Sequence, residues 1–90
     1  MVKKIEAYQF SNKFKKEFND LPKDVQKAFE EKLTLFLNNF FNPSLRAKKI
    51  QGTKDQWEGS ITYNYRFTFQ FIENNLVLFR RIGTHDILKK

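Results

Sequence analysis

Arg66-Phe67-Thr68-Phe69-Gln70-Phe71-Ile72 alternates with a period of two, with Phe67, Phe69 and Phe71 on one face and Arg66, Thr68 and Gln70 on the other. Successive side chains of a strand point to opposite faces, so this stretch predicts a half-buried strand with one aromatic side. Glu73-Asn74-Asn75 then reads as a hairpin turn, and Leu76 to Arg81 as the last strand. Upstream, Trp57 to Thr62 reads as a strand and Tyr63-Asn64 as a tight turn, because Asn tolerates positive φ. By period alone, Ile61, Tyr63, Tyr65, Phe67, Phe69 and Phe71 also fit one long unbroken strand. Gly52-Thr53-Lys54-Asp55 is a further turn, and Leu45 to Ile50 a basic, half-apolar strand.

The N-terminal half has a different period. Residues 2–10 alternate loosely and predict a first strand. Ser11 is placed to N-cap a short helix, since its hydroxyl can accept from an exposed amide one turn on. Phe14, Phe18 and Leu21 fall on one face of that helix, and Asn19-Asp20-Leu21-Pro22 breaks it. Pro22 suits the first turn of a second helix, where its missing N–H costs nothing. Val25, Phe29, Leu33, Phe36, Leu37 and Phe40 form the apolar stripe of this helix, while Lys23, Lys27, Glu30, Glu31 and Asn38 lie on other faces. Asn42-Pro43 ends it, because a residue before Pro disfavours the helical conformation. The expected fold is α+β: an N-terminal strand, a two-helix hairpin, then an antiparallel β-meander, with the helices on one sheet face and the other face open.

Ninety residues predict a single domain spanning 1–90. No 18-residue apolar run is present, so no membrane partner is expected. The basic start Met1-Val2-Lys3-Lys4 leads into mixed residues, which is not a signal-peptide pattern. The absence of Cys removes disulfides and thiolate chemistry, and one His leaves little from which to build a zinc site, so neither metal nor other cofactor is expected. Packing must hold the fold, and eleven Phe, three Tyr and one Trp supply large apolar areas. The net charge of +7 is uneven: residues 1–44 carry eight Lys against six Asp/Glu, whereas residues 45–90 carry nine Lys/Arg against four. All four arginines (Arg46, Arg66, Arg80, Arg81) lie in the second half. Arginine forks onto phosphate or carboxylate, so the distribution fits a polyanion or an acidic partner, with a solvated basic surface as the plainer alternative.

The last strand runs into Arg80-Arg81-Ile82-Gly83-Thr84-His85, which holds the only histidine. Histidine is the side chain whose unperturbed pKa lies near neutrality, so it can donate or accept a proton. Arg80 is expected to face away from Arg81 if the strand is regular, where Glu58 or Glu73 could pair with it.

The chain resembles the RelE/ParE superfamily of bacterial toxins over nearly its whole length. Four features carry the resemblance in order: the Leu21-Pro22 step between two helices; Ile50-Gln51-Gly52 followed by Trp57 and Gly59; Tyr65-Arg66 opening an alternating strand; and Arg81-Ile82-Gly83-Thr84-His85. The Gly-Thr-His ending looks most like the YafQ branch, whose members are ribosome-dependent endoribonucleases silenced by an acidic antitoxin. The resemblance implies a cytoplasmic toxin that cleaves mRNA on the ribosome without a metal and pairs with a cognate acidic antitoxin. It implies His85 as general acid or base, Arg81 as the clamp on the scissile phosphate, Arg66 facing the groove with Arg81, and Lys48 in the catalytic set. Arg46, Lys49, Tyr65 and Lys89 are the implied RNA contacts, with Trp57 a second stacking candidate that more often would be core. Lys48 stands near a position that is His in the YafQ branch, a second family His is missing near Thr62, and Lys89 replaces a C-terminal aromatic. The proton partner of His85 is therefore open. Two other readings of the same resemblance are a ParE-like inhibitor of DNA gyrase and a basic RNA- or protein-binding domain without activity. Phe40-Phe41 and the outer Phe of the first helix are candidate antitoxin contacts.

Overall fold

The computed structural model describes residues 5–39, 42–73 and 76–88. In chain order these form β1 (Ala7–Phe10), α1 (Asn12–Asn19), α2 (Lys23–Asn38), a 3-10 turn (Pro43–Leu45), β2 (Lys48–Lys49), β3 (Gln56–Ser60), β4 (Tyr65–Glu73), β5 (Leu76–Thr84) and a second 3-10 turn (His85–Leu88). The strands make one sheet in the order β1-β5-β4-β3-β2. From β2 to β5 neighbours are antiparallel, as the hairpin turns require, but β1 lies parallel to β5. The α+β class and the helix hairpin on one sheet face are as expected. The parallel placement of β1 is the feature that local pattern does not encode.

Local chemistry explains the boundaries. Ser11 Oγ accepts from the Phe14 N–H, which caps α1 as expected. Gln26 Nε2 donates to the carbonyls of Phe18 and Leu21, tying the start of α2 to the end of α1. Pro22 is the N-cap of α2 rather than a residue of its first turn. The stretch Leu45–Ile50 is not a continuous strand. The Asn42 side chain accepts from the Ser44 N–H and Pro43 opens the turn, so Pro43–Leu45 coils as 3-10 helix and buries Leu45 fully. Only Lys48 and Lys49 pair with β3. Residues 61–64 form the loop between β3 and β4, so the single long strand that period allows does not form. β5 continues past Arg81 to Thr84. Lys89 and the Phe40-Phe41 pair lie outside the described residues.

The core is a seam of phenylalanines between helix and sheet. Phe36 of α2 meets Phe67, Phe69 and Phe79 at centroid distances of 6.0, 4.8 and 5.3 Å, and Phe29 meets Phe14, Phe67 and Phe79. Trp57 stacks on Phe69 at 6.1 Å, which makes it a core aromatic. Each such side chain buries a large apolar area, and edge-to-face or offset pairs add to it.

At Gly59 the Phe67 ring lies where a side chain would stand. The two residues are cross-strand partners, and a Cβ on Gly59 would come within 2.3 Å of the ring carbon Cζ. Phe67 is itself buried and has no room to yield. Gly59→Ala is therefore expected to lower stability by about 1–3 kcal/mol, the usual range for overpacking a dense core. Urea unfolding tests this, and an unchanged midpoint would contradict it.

Candidate functional site

The sheet face opposite the helices carries the charge. Cross-strand register places Lys48 beside Glu58, Glu58 beside Thr68, and Thr68 beside Arg81; one step along, Ser60 pairs with Arg66 and Arg66 with Gly83. At the end of this second row, a cavity of about 290 Å³ is lined by Arg46, Lys48, Glu58, Ser60, Arg66 and His85. Arg46 and His85, 39 positions apart in the chain, thus converge because β5 hands the chain to the His85–Leu88 turn just beside the β3–β4 loop.

Each wall has a local cause. Arg46 closes the Pro43–Leu45 turn in the left-handed region, at φ 50° and ψ 40°. This backbone is uncommon for a residue with a side chain and costs of the order of 1 kcal/mol. Arg66 Nη1 donates to the carbonyls of Thr62, Tyr63 and Tyr65 at 2.6, 2.8 and 3.1 Å, which fixes the guanidinium against the loop. Its Nε and Nη2 are uncommitted among the described residues, so a rigid donor edge is left over. Lys48 Nζ lies 3.5 Å from Glu58 Oε1. His85 is exposed and also borders a second, wider concavity with Tyr63, Tyr65 and Thr84. Tyr63 is 87% exposed, an aromatic that the core does not use.

Arg81 is not brought into this cavity. It forks onto Glu17 of α1, with Nη2 at 2.6 Å and Nε at 3.2 Å from Oε2. Glu17 Oε1 also accepts the Ile82 N–H. Ser11 does the same work one step earlier, donating its N–H to the Phe79 carbonyl and its hydroxyl to the Arg80 carbonyl. β1 ends at Phe10, so α1 takes over as the partner of the β5 edge, and Glu17 and Arg81 are part of that seal.

Nor does Arg80 face away from Arg81. Thr68 pairs with Arg81 while Phe69 pairs with Phe79, so β5 carries one extra residue at Arg80. Such a bulge breaks the alternation of faces. Both arginines line one concavity with Ser11, Lys13 and Thr68. Arg80 Nη1 donates to Gln70 Oε1 at 2.7 Å, not to Glu58 or Glu73.

Of the sequence candidates, then, Arg46, Lys48, Arg66 and His85 meet around one cavity. Tyr65 adjoins it through His85, Lys49 pairs with Trp57 and stands outside it, and Arg81 is engaged elsewhere. Glu58 and Ser60, which line the cavity, and Tyr63, which lines the adjoining concavity, are the residues that sequence reasoning did not place there. Alternation from Trp57 was enough to put Glu58 and Ser60 on the polar face. Among the described residues no cluster of His, Cys, Asp and Glu is suited to hold a metal ion, and no helix is long and apolar enough to cross a membrane.

No protein-family model matches the sequence, and no curated protein is similar enough to match it. Solved structures do match. YafQ from E. coli shares 18% identity at a TM-score of 0.76, over 92% of this chain and 97% of that one. The RelB-RelE antitoxin-toxin complex of Methanococcus jannaschii has a chain with 20% identity and a TM-score of 0.70, over 89% and 93%. The toxin-antitoxin complex RelBE2 of Mycobacterium tuberculosis has one with 15% identity and a TM-score of 0.73, over 94% of both chains. The chain therefore has the fold of the RelE and YafQ toxins, with two helices on a five-stranded mixed sheet.

The seal on β5 makes a thermodynamic prediction. Bidentate, partly shielded pairs in contact couple by about 0.5–3 kcal/mol. Glu17→Ala and Arg81→Ala should each destabilise the protein, and the double variant should lose less than the two losses added. Additive effects in urea unfolding would show that the pair contributes nothing of its own.

Proposed function

We propose that this chain is the toxin of a type II toxin–antitoxin pair and that it cleaves mRNA on the ribosome. One observation carries the reading: in a chain with the RelE/YafQ fold, the only histidine shares a cavity with Arg46, Lys48 and Arg66 on the face the helices leave open. RNA cleavage without a metal proceeds by attack of a 2′-hydroxyl on its own phosphate. Charge grows on the phosphate oxygens, one proton leaves the 2′-oxygen and another must reach the departing 5′-oxygen. In this reading Arg66 holds the phosphate with its uncommitted N–H edge, and Arg46 and Lys48 add charge. His85 supplies one of the two proton transfers. The exposed Tyr63 offers a face on which a base can stack, whereas the adjacent Tyr65 is part-buried and packs against the core. Arg81, held by Glu17, positions β5 rather than clamping the phosphate.

The net charge of +7 favours binding to RNA in a salt-dependent way and favours an acidic partner. YafQ has been solved in a complex with DinJ described as toxin-antitoxin. By analogy we assign this chain a cognate acidic antitoxin that neutralises the basic face, and a cytoplasmic site of action where ribosomes are.

Induced expression should arrest growth and leave mRNAs cut, and His85→Ala should restore growth at equal protein level. Sequencing of mRNA 5′ ends after induction checks the cuts. Intact mRNA accompanied by DNA breaks would instead indicate gyrase poisoning, and a His85→Ala variant as toxic as the parent would remove His85 from the site.

A further inference from the structure

Glu58 is the residue that a simple phosphate-binding surface does not explain. It sits mid-strand on β3, only 9% exposed, with Lys48 on one neighbouring strand and Thr68 on the other. It lines the same cavity as His85, Arg46 and Arg66. A carboxylate there repels the phosphate that the surrounding cations attract, so its presence opposes binding. Its ion pair with Lys48, the one it makes among the described residues, does not account for the burial: the Lys48 side chain is 73% exposed, and pairs open to water on one side contribute little. Oε2 of Glu58 has no protein donor among the described residues, and no buried side-chain oxygen there is left unsatisfied, so this oxygen opens to solvent. An acceptor-only group that lines the same cavity as the single imidazole is chemically able to take a proton.

We propose that Glu58 is the proton acceptor of the cleavage step and His85 the proton donor. This deepens the nuclease reading and rests on it. The 2′-oxygen attacks phosphorus as its proton passes to the Glu58 carboxylate. The O2′–P bond forms and the P–O5′ bond breaks, and the electron pair leaving on the 5′-oxygen takes a proton from the His85 imidazolium. The products are a 2′,3′-cyclic phosphate and a 5′-hydroxyl. Glu58 ends protonated and His85 neutral, and exchange with water restores both. Lys48 orients the carboxylate through Oε1, and Arg46 and Arg66 carry the phosphate. The pairing supplies the second proton-transfer group that the loss of the family histidines near Lys48 and Thr62 left open.

The test uses the full chain with ribosomes programmed by a synthetic mRNA, cut under single-turnover conditions. Two substrates are compared: the natural one, and one whose 5′-oxygen at the cut site is replaced by sulfur. A thiolate leaves without protonation, so the sulfur substrate removes the need for an acid but not for a base. Glu58→Gln, which keeps shape and removes the acceptor, should slow cleavage of both substrates by about 100-fold or more, the scale of general base catalysis. His85→Ala should be slow on the natural substrate and largely rescued on the sulfur substrate. Glu58→Asp keeps a carboxylate at shorter reach; it should cut more slowly than the parent, faster than Glu58→Gln, and gain nothing from sulfur. Thermal unfolding of each variant establishes that it is folded, and Glu58→Asp carries the test if Glu58→Gln is not. Glu58→Gln within about threefold of the parent on both substrates would reduce Glu58 to a counter-charge and overturn the proposal. Rescue of either Glu58 variant by sulfur would overturn it as well, by making Glu58 the acid. If the parent chain cuts neither substrate, the nuclease reading itself fails, a result distinct from the other two.

Discussion

The contact of Phe36 with Phe67, Phe69 and Phe79 is what the rest of the molecule depends on. It fastens α2 to the two central strands, so every aromatic of β4 and β5 that can face the helices does so. In a chain without disulfides this seam is the main source of cohesion. It has a second consequence. Because alternation commits one face of each strand to phenylalanine, the other face is free to collect Lys48, Glu58, Arg66 and their neighbours. The site is thus the reverse side of the core.

The edge of β5 imposes the other constraint. A four-residue β1 cannot cover a nine-residue neighbour, and unpaired backbone at a buried edge is costly. Ser11 and Glu17 meet that demand from the N-cap and the last turn of α1. Arg81 is drawn into the same arrangement by its charge. The bulge at Arg80 then lets β5 resume its register, so that Ile82 returns to the core opposite Phe67 and the chain reaches Thr84 in position to deliver His85 to the cavity.

How much of this was legible depends on what each residue's neighbours demanded. The Phe67-Phe69-Phe71 alternation and the Val25–Leu37 stripe are local periodicities, and both elements formed where period placed them. The Ser11 cap was legible for the same reason. The Leu45–Ile50 strand was not, because Asn42 and Pro43 close a turn whose reward is the burial of Leu45, a tertiary gain invisible in the pattern. Arg80 does not face away from Arg81 because a bulge, which leaves no mark in composition, interrupts the alternation of β5. The parallel pairing of β1 follows from the helix hairpin carrying the chain back over the sheet, which no local signal states. In the site, the cations were visible as types, and their convergence was expected from the family's layout. Glu58 was legible only as a possible partner of Arg80, because an acid in a basic groove looks like a misfit until its burial and its neighbours are seen.

The activity proposed for this basic cavity is an intramolecular transesterification of RNA. The most direct measurement compares two ribosome-bound mRNAs, identical except that one carries a single 2′-deoxyribose at the mapped cut site. The account predicts cleavage of the all-ribose message, with a 2′,3′-cyclic phosphate on the upstream fragment, and no cleavage at the deoxy position. Cleavage of both messages at the same place would show that the 2′-hydroxyl is not the nucleophile and would contradict it.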